Sequence, residues 1–402
     1  MCSQYPRPEG LRNIPENGLD LRPDIEVDQD LLHPKPICDE KCIWFFWHSG
    51  YQHMHPYTKR NVRGWHRRFS SQGWTIRVID CQPKSVLNIS NYLDVSDPNL
   101  FPQAFRNGTI SGEYALQHTS DLVRFPLLLK YGGIYADVGL IQIGDLDRLW
   151  HEVVANPVSP FEVASYNCEG ISLTNYFLMA RPDNQFFKRC HRLLLKLWEG
   201  KTCTEGMWSN ALLRGVPLME CAASIEENGV IIGPESLSKI LTDYIIQGQV
   251  ISMVMGLVDA EEGWNGPQYV ANHIYGIDFM VGSQLINSIM NWNGTRAFKL
   301  MSLSIPREGD GETEDQRQAR EIIFECLRRS FGFKLAHGLI LRVLGDTLGS
   351  LWRKYEESDN VPYTYAHWLR YGTLHWNQNH LPPRKNFTIV DPYKKGPLLR
   401  EE

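Results

Sequence analysis

The stretch SDLVRFPLLLKYGGIYADVG, residues 120–139, carries a consecutive series of local structure signals. Its apolar first half predicts a helix that begins near residue 111, and Gly132-Gly133 is a strong signal for the end of that helix. The following IYADVG predicts a central strand that breaks at Asp137. A helix that leads into a buried strand is typical of α/β folds, so this stretch predicts a Rossmann-like α/β core.

The segments around this stretch extend the same pattern. CIWFFW (42–47) and WTIRVID (74–80) are predicted strands with a basic helix between them, which favours a βαβ unit and a sheet flanked by helices. The later part of the chain is predicted to be mainly helical. The expected organisation is therefore an extended N-terminal arm, an α/β core and a helical C-terminal extension, at 1–37, 38–280 and 281–402.

Composition limits the classes of protein that this chain can represent. It has 402 residues, a formal net charge of -5 and 43% hydrophobic residues, which indicate a globular protein and oppose indiscriminate nucleic-acid binding. The nine cysteines are scattered and favour free thiols in a reducing compartment. The N-terminus lacks an apolar segment, and no run of about 18 apolar residues occurs. These features predict a cytoplasmic protein without a membrane partner.

Three polar residues of this region are the main candidates for a functional site. Asp121 and Arg124 lie three positions apart, so they share one face of the predicted helix. Asp137 follows a strand, and open α/β sheets bind ligands at the carboxyl ends of their strands. The three side chains are expected to converge on one cleft and to hold sugar hydroxyls, a ribose or an amino-acid side chain. An ordinary ion pair on a helix surface is the alternative for Asp121 and Arg124 alone.

Further candidates come from elsewhere in the chain. Glu113, His118 and His48 are candidates for proton transfer or substrate binding, although a lone histidine is more often structural. The acidic turn DAEEGWNGPQY (259–269) could close over the cleft, and it could equally be an exposed loop. Its candidate substrate-binding residues are Glu261, Glu262 and Trp264.

These segments resemble the GT-A-fold glycosyltransferases related to capsular-polysaccharide synthesis proteins. The resemblance covers roughly residues 40–275 and rests on IWFFWHSG, YTKRNVRGWHRRF, SDLVRFPLLLKYGGIYADVG and LTNYFLMARPDNQFFKRCHRLLLKLWEG. It implies that Trp44 or Trp47 stacks on a nucleobase. It also implies that Asp121 and Arg124 contact the donor sugar and that Asp137 contacts a ribose or a metal ion.

Gly139 departs from the pattern of that family. It stands where the second aspartate of an Asp-X-Asp sequence would coordinate Mn²⁺ or Mg²⁺, and glycine has no side-chain oxygen. The expectation is therefore no cofactor, with Mn²⁺ or Mg²⁺ needed only if the protein transfers sugars. Gly139 would instead let a substrate approach the main chain closely.

The chain also resembles a fungal branch of this fold, the arginine-containing cyclodipeptide synthases. That resemblance implies formation of a cyclic arginine dipeptide in secondary metabolism, with arginyl-tRNA and a second aminoacyl-tRNA as partners. The basic and aromatic residues of YTKRNVRGWHRRF (57–69) would suit an RNA acceptor stem, or they form a solvated basic face. The favoured hypothesis is therefore a cyclodipeptide synthase. The alternatives are a nucleotide-sugar-dependent glycosyltransferase and, third, a non-enzymatic binding module.

Overall fold

The computed structural model describes residues 5–168, 172–307, 309–388 and 391–401. Residues 1–4 of the predicted N-terminal arm therefore lie outside the described part. The strands of the described residues are β1 (Leu11–Asn13), β2 (Cys42–Phe46), β3 (Thr75–Ile79), β4 (Gly133–Ala136), β5 (Leu140–Gln142), β6 (Val163–Cys168), β7 (Ser172–Ala180), β8 (Ile225–Glu227), β9 (Val230–Ile232), β10 (Leu257–Asp259), β11 (Trp264–Asn265), β12 (Ile274–Asp278), β13 (Gly332–Lys334), β14 (Trp376–Gln378) and β15 (Lys394–Lys395).

Helices account for most of the remaining regular structure. The α-helices of the described residues are α1 (Asp24–Leu32), α2 (Pro56–Phe69), α3 (Gln103–Arg106), α4 (Ala115–Tyr131), α5 (Leu146–Leu149), α6 (Gln185–Leu197), α7 (Pro234–Tyr244), α8 (Ile246–Met255), α9 (Gly266–His273), α10 (Phe279–Ser283), α11 (Leu285–Ile289), α12 (Gly294–Met301), α13 (Glu314–Arg329), α14 (Ile340–Leu344), α15 (Leu348–Lys354) and α16 (Tyr365–His375). In the described ranges, no helix combines the length and apolar character that crossing a membrane requires.

A six-stranded mixed sheet forms the centre of the molecule, in the order β12-β6-β7-β4-β2-β3. β2 is parallel to both β3 and β4, whereas β7 runs antiparallel to β4 and β6. The chain therefore reverses its direction of winding between β2 and β4. Ligands of open α/β sheets bind at such a switch point, outside the carboxyl ends of the strands.

Alternation along β2 explains why both faces of the sheet carry helices. Ile43 and Phe45 pack with α1 and α2, whereas Trp44 and Phe46 pack with α4, α6 and α8 on the opposite face. Successive side chains of a strand point to opposite faces, so a strand without polar positions needs cover on both. This architecture confirms the predicted α/β fold with a sheet flanked by helices, and the sheet is mixed because β7 runs antiparallel to its neighbours.

Gly132 and Gly133 form the sharp connection between α4 and β4. Their φ values are 66° and 87°, which residues with a side chain rarely adopt. A Cβ on Gly133 would also clash with the carbonyl group of Cys42. The backbone conformation and the close packing against Cys42 therefore both require glycine where the sequence predicts the end of the helix. This connection places Asp137 directly after β4.

The C-terminal region is mainly helical, as predicted, but it also adds strands to the core. β13 pairs with β5, which places Lys334 opposite Leu140. The segment expected to be an extended N-terminal arm contains the helix α1, and its β1 pairs with the C-terminal β14. The N-terminal and C-terminal segments thus pair with each other.

Candidate functional site

Asp121 and Arg124 form a buried ion pair on α4. The Arg124 Nη2 lies 2.9 Å from Asp121 Oδ1, and the two residues are 3% and 7% exposed. The guanidinium also lies over the ring of Tyr135, 4.7 Å from its centroid. Burial disfavours the charge, but Asp121, Tyr135 and Asp137 outweigh it and raise the pKa of Arg124. The pair is therefore an internal element and not a helix-surface ion pair.

Two amides from other elements hold this pair in position. Asn175 on β7 donates to Asp121 Oδ1 over 3.2 Å, and its backbone carbonyl accepts a 2.6 Å hydrogen bond from Arg124 Nη1. Gln247, in the first turn of α8, donates to the backbone carbonyl of Asp121 over 2.7 Å. The carboxylate and guanidinium are thus oriented before any ligand binds, which is a property of pre-organised sites.

Asp137 joins this cluster at the carboxyl end of β4. Its Oδ1 lies 3.5 Å from Arg124 Nη2, and its Oδ2 lies 3.2 Å from the Lys334 Nζ. The Asp137 side chain keeps 30% of its surface exposed, so it can reach a ligand directly. The structure therefore brings Asp121, Arg124 and Asp137 together.

The donor set around Asp137 does not fit a divalent metal ion. Mg²⁺ and Mn²⁺ need several oxygen ligands, whereas this carboxylate faces the cationic groups of Arg124 and Lys334. Gly139 offers no side chain, and a Cβ there would lie 3.3 Å from the Lys334 Nζ. Among the described residues, the one carboxylate and histidine group compact enough to share an ion contains none of these residues and consists of Asp20, Asp30 and His66.

An aromatic row extends from Gly139 along one side of the site. His337 lies beside Gly139, and its Nε2 forms a 2.9 Å hydrogen bond with the Tyr57 hydroxyl. Tyr57 stacks near His55, which in turn contacts Trp47 edge to face. Burial, reinforced by the charge of Lys334, lowers the pKa of His337 to about 3, so this imidazole is neutral near pH 7.

Tyr244 and His118 approach the cluster from α7 and α4. A Cβ on Gly338, which follows His337, would clash with the Tyr244 hydroxyl. The rings of His118 and Tyr244 lie 6.1 Å apart, and His118 Nδ1 lies 3.4 Å from Asp121 Oδ2. Burial, Asp121 and Asp137 together raise the pKa of the Tyr244 hydroxyl. Tyr244 therefore keeps its proton and can donate it to a ligand oxygen. His118 is 4% exposed and its Nε2 contacts Thr204, so its ring is fixed between Thr204 and the Asp121 carboxylate.

The two tryptophans singled out near the first strand have different surroundings. Trp44 has no exposed surface, and its indole N–H donates to the Gly132 carbonyl within the core. Trp47 follows the end of β2 and is partly buried beside His55, on the side of the sheet where Asp137 lies. His48 is next to it, and its backbone carbonyl accepts from Cys81 and Gln82. Of the two, Trp47 is placed where a nucleobase could stack.

Glu113 lies at the surface and not inside the cluster. Its side chain is 65% exposed and pairs with Arg342 at 3.4 Å. Because this residue precedes α4, it lies more than a turn away from Asp121 along the chain.

The acidic turn belongs to a different part of the molecule. Glu262 pairs with Arg192 at 2.9 Å, and Trp264 donates to the Val254 carbonyl in the last turn of α8. Gln247, which touches Asp121, lies seven residues earlier on that helix, about 10 Å away along its axis. The backbone N–H of Glu261 donates to Asp259 in the same turn. Glu261, Glu262 and Trp264 are thus not brought to the cluster.

The arginines of α2 have partners within the protein. Arg60 pairs with Asp359 and Glu357, and Arg63 pairs with Asp28. Arg68 is buried and donates to the carbonyl groups of residues 142–144. This helix is therefore not a free basic surface for an RNA acceptor stem.

Several residues of this site could not be found from local sequence patterns. Lys334, His337 and Tyr244 lie far from the motif in the chain, and Asn175 and Gln247 are single amides in apolar segments. A weak signal existed in GFKLAHG (332–338), where a lysine and a histidine interrupt an apolar segment. Without knowledge of the β5–β13 pairing, nothing connects that segment to Asp137.

Comparison with known proteins is consistent with this geometry. A model of the capsular polysaccharide synthesis protein family matches residues 24–205. The chain is 33% identical over 380 residues to O-glycosyltransferase braB of Annulohypoxylon truncatum, covering 92% of this chain and 88% of the relative. It is 32% identical to O-glycosyltransferase PaGT of Phomopsis amygdali, covering 94% and 92%. The solved structure of the PaToxG glycosyltransferase matches 56% of this chain and 77% of its own at 16% identity, with a TM-score of only 0.28.

The chain therefore belongs to a capsular-polysaccharide-synthesis-like glycosyltransferase family and is a transferase. The predicted cyclodipeptide synthase is wrong, because relatives that match nearly the full chain are O-glycosyltransferases. The predicted aminoacyl-tRNA partners are wrong for the same reason. The basic segment suggested an RNA-binding face because the internal partners of the α2 arginines cannot be seen in the sequence. The resemblance to glycosyltransferases related to capsular-polysaccharide synthesis proteins, seen in residues 40–275, is confirmed.

Proposed function

We propose that this protein transfers a sugar from a nucleoside diphosphate-sugar to a hydroxyl group of a small-molecule acceptor. The observation that carries the proposal is the cluster of Asp121, Arg124 and Asp137 at the carboxyl end of β4. A carboxylate and a guanidinium with fixed orientations suit the hydroxyl groups of a sugar. The names of the relatives, O-glycosyltransferases, support an oxygen acceptor.

The surrounding residues suit a nucleotide-sugar donor. Trp47 lies partly buried near the end of β2 and offers an aromatic ring for the nucleobase. Asp137 keeps an exposed carboxylate edge for a ribose or sugar hydroxyl. Tyr244, whose hydroxyl stays protonated, can donate to a sugar or phosphate oxygen.

The proposed reaction balances without a further reactant. The acceptor oxygen forms a bond to C1 of the sugar, and the bond from C1 to the diphosphate oxygen breaks. The electron pair of that bond leaves with the nucleoside diphosphate, and the acceptor hydroxyl proton is released to solvent. The protein contributes position and charge, which are large terms in such group transfers.

The test is a transfer assay with the purified full-length chain. A panel of UDP- and GDP-sugars would be incubated with phenolic and aliphatic alcohols, and glycosylated products and free nucleoside diphosphate would be measured by mass spectrometry. We expect product from at least one donor. We also expect Asp137→Asn to lower kcat/KM on the order of a hundredfold, because a positioned charge is lost.

The matched control is Asp183→Asn at the protein surface. Asp183 has a 73% exposed side chain that pairs with Lys188, and asparagine tolerates its φ of 62°. This variant should keep the wild-type turnover. If no donor yields product, the proposed function is contradicted.

A further inference from the structure

The Lys334 ammonium lies directly beside the position from which a second carboxylate side chain would extend. A Cβ on residue 139 would lie 3.3 Å from the Lys334 Nζ and 3.3 Å from the Leu335 carbonyl oxygen. A longer side chain at position 139 would therefore meet the ammonium group. The absence of an aspartate at position 139 thus accompanies the presence of a positive charge beside that position.

The fold keeps this ammonium group in place without a ligand. Lys334 is the last residue of β13 and pairs with Leu140, and the following N–H of Leu335 donates to the Gly139 carbonyl over 2.9 Å. Its side chain is 15% exposed, and the Nζ lies 5.5 Å from the centroid of the Tyr176 ring. The residue is thus held by main-chain hydrogen bonds, and the ring of Tyr176 lies beneath its ammonium group.

The ammonium group also retains capacity for a ligand. A lysine has three N–H donors. In the part of the chain that the structure describes, oxygens of Asp137 and Leu335 lie 3.2 and 3.3 Å from the Nζ. One donor therefore remains for a ligand oxygen. Arg124, by contrast, is already compensated by Asp121 at 2.9 Å.

We propose that Lys334 binds the diphosphate of the donor and supplies the positive charge that a divalent metal ion would supply in a metal-dependent transferase. This inference rests on the proposed function. As the bond between C1 and the diphosphate oxygen breaks, negative charge accumulates on that oxygen, and the Lys334 ammonium stabilises it. The acceptor oxygen takes the place of the diphosphate on C1, and its proton goes to solvent.

The first measurement is calorimetric binding of UDP and GDP to the full-length chain in EDTA. Wild-type protein is expected to bind one of them without a divalent ion. Lys334→Met is expected to bind that nucleotide about ten- to a hundredfold more weakly, the usual effect of losing a hydrogen bond to a charged group. Wild-type binding that appears only after addition of Mn²⁺ or Mg²⁺ would overturn the proposal.

Lys41→Met is a closely matched control. Lys41 pairs with Asp147 at 2.6 Å, lies 5.5 Å from the Trp74 ring and has a 17% exposed side chain. It precedes β2 and lies at the edge of the sheet opposite to the site. Its replacement should change nucleotide affinity less than twofold. Equal weakening by both substitutions would contradict a specific role of Lys334.

A second variant separates charge from folding. Lys334→Arg keeps the positive charge and should retain binding within about fivefold, whereas Lys334→Met should not, with thermal melting confirming that both variants fold. If the arginine variant binds as weakly as the methionine variant, the charge-based role is wrong.

Turnover in EDTA then distinguishes this inference from the proposed function. Sugar transfer that requires Mn²⁺ would leave the proposed function standing and overturn the role of Lys334. Metal-free nucleotide binding that depends on Lys334, without transfer from any donor sugar, would support the diphosphate site and contradict the proposed function.

Discussion

The Asp121 carboxylate lies 2.9 Å from the Arg124 guanidinium, and both side chains are at least nine-tenths buried. Asn175 and Gln247 attach this pair to β7 and α8. A buried charge without its partner is costly, so this pair couples the integrity of the site to the stability of the fold.

Asp121→Ala should therefore destabilise the protein strongly. It removes the main counter-charge of Arg124. The buried guanidinium then keeps only the longer ion pair with Asp137, at 3.5 Å. We expect a loss of about 3–5 kcal/mol in the free energy of unfolding, measured by urea titration. Glu152→Ala, which breaks an exposed pair with Arg148, should unfold at nearly the wild-type urea concentration. Similar losses in both variants would contradict this interpretation.

Acid stability should depend on His337. Its pKa falls from 6.5 to about 3 in the folded protein, mainly because of burial. Below pH 6.5 the unfolded chain therefore binds a proton that the folded protein does not bind, so stability falls as the pH drops towards 3. Relative to His337→Gln, wild-type protein should lose up to about 1.4 kcal/mol per pH unit between pH 6 and pH 4. Urea titrations at several pH values test this, and parallel pH profiles of the two proteins would refute it.

Tyr244→Phe should lower turnover without unfolding the protein. Burial and the negative charges of Asp121 and Asp137 keep this hydroxyl protonated, so under the proposed function it can donate to a substrate oxygen. Loss of one such hydrogen bond should reduce kcat/KM about tenfold in the sugar-transfer assay. Tyr275→Phe is the control, because that hydroxyl donates to the Pro382 carbonyl instead. The role of Tyr244 is wrong if the two variants have equal activity.

Gly133→Ala should be far more damaging than Gly206→Ala. Both glycines have positive φ, 87° and 76°, but a Cβ at 133 clashes with the Cys42 carbonyl whereas the space around 206 is open. We expect Gly206→Ala to cost about 1–2 kcal/mol, from the backbone conformation alone. Gly133→Ala should cost about 3 kcal/mol or more, because steric overlap adds to that cost. Thermal melting of both variants measures the difference, and equal melting temperatures would show that the overlap relaxes.

Local sequence patterns predicted the part of the site that lies within one supersecondary unit. Asp121 and Arg124 share a face because helical periodicity requires it, and Asp137 follows them because Gly132-Gly133 ends α4 directly before β4. Such contacts depend on residues close in the chain, so spacing alone was sufficient. The α/β class followed from the same short-range order of helices and strands.

Predictions of binding surfaces were less successful where the positive charges were counted without the carboxylates that pair with them. The α2 segment contains enough arginine to suggest an RNA-binding face, yet Asp28 and Asp359 pair with Arg63 and Arg60. Trp44 and Trp47 lie three positions apart in one aromatic run. Trp44 lies within β2 and is part of the core, whereas Trp47 follows the end of that strand. Composition records which residues are present and does not record which of them neutralise or cover one another.

The sequence by itself determined the α/β core, the turn at Gly132-Gly133 and the convergence of Asp121, Arg124 and Asp137. The tertiary structure alone decided that Lys334 and His337 lie beside Gly139 and that Tyr244 lies beside His118. The physical reason is the range of the interactions. Helix and turn signals act over a few residues, whereas the β5–β13 pairing joins strands that nearly half the chain separates, and hydrophobic packing of the whole protein selects it.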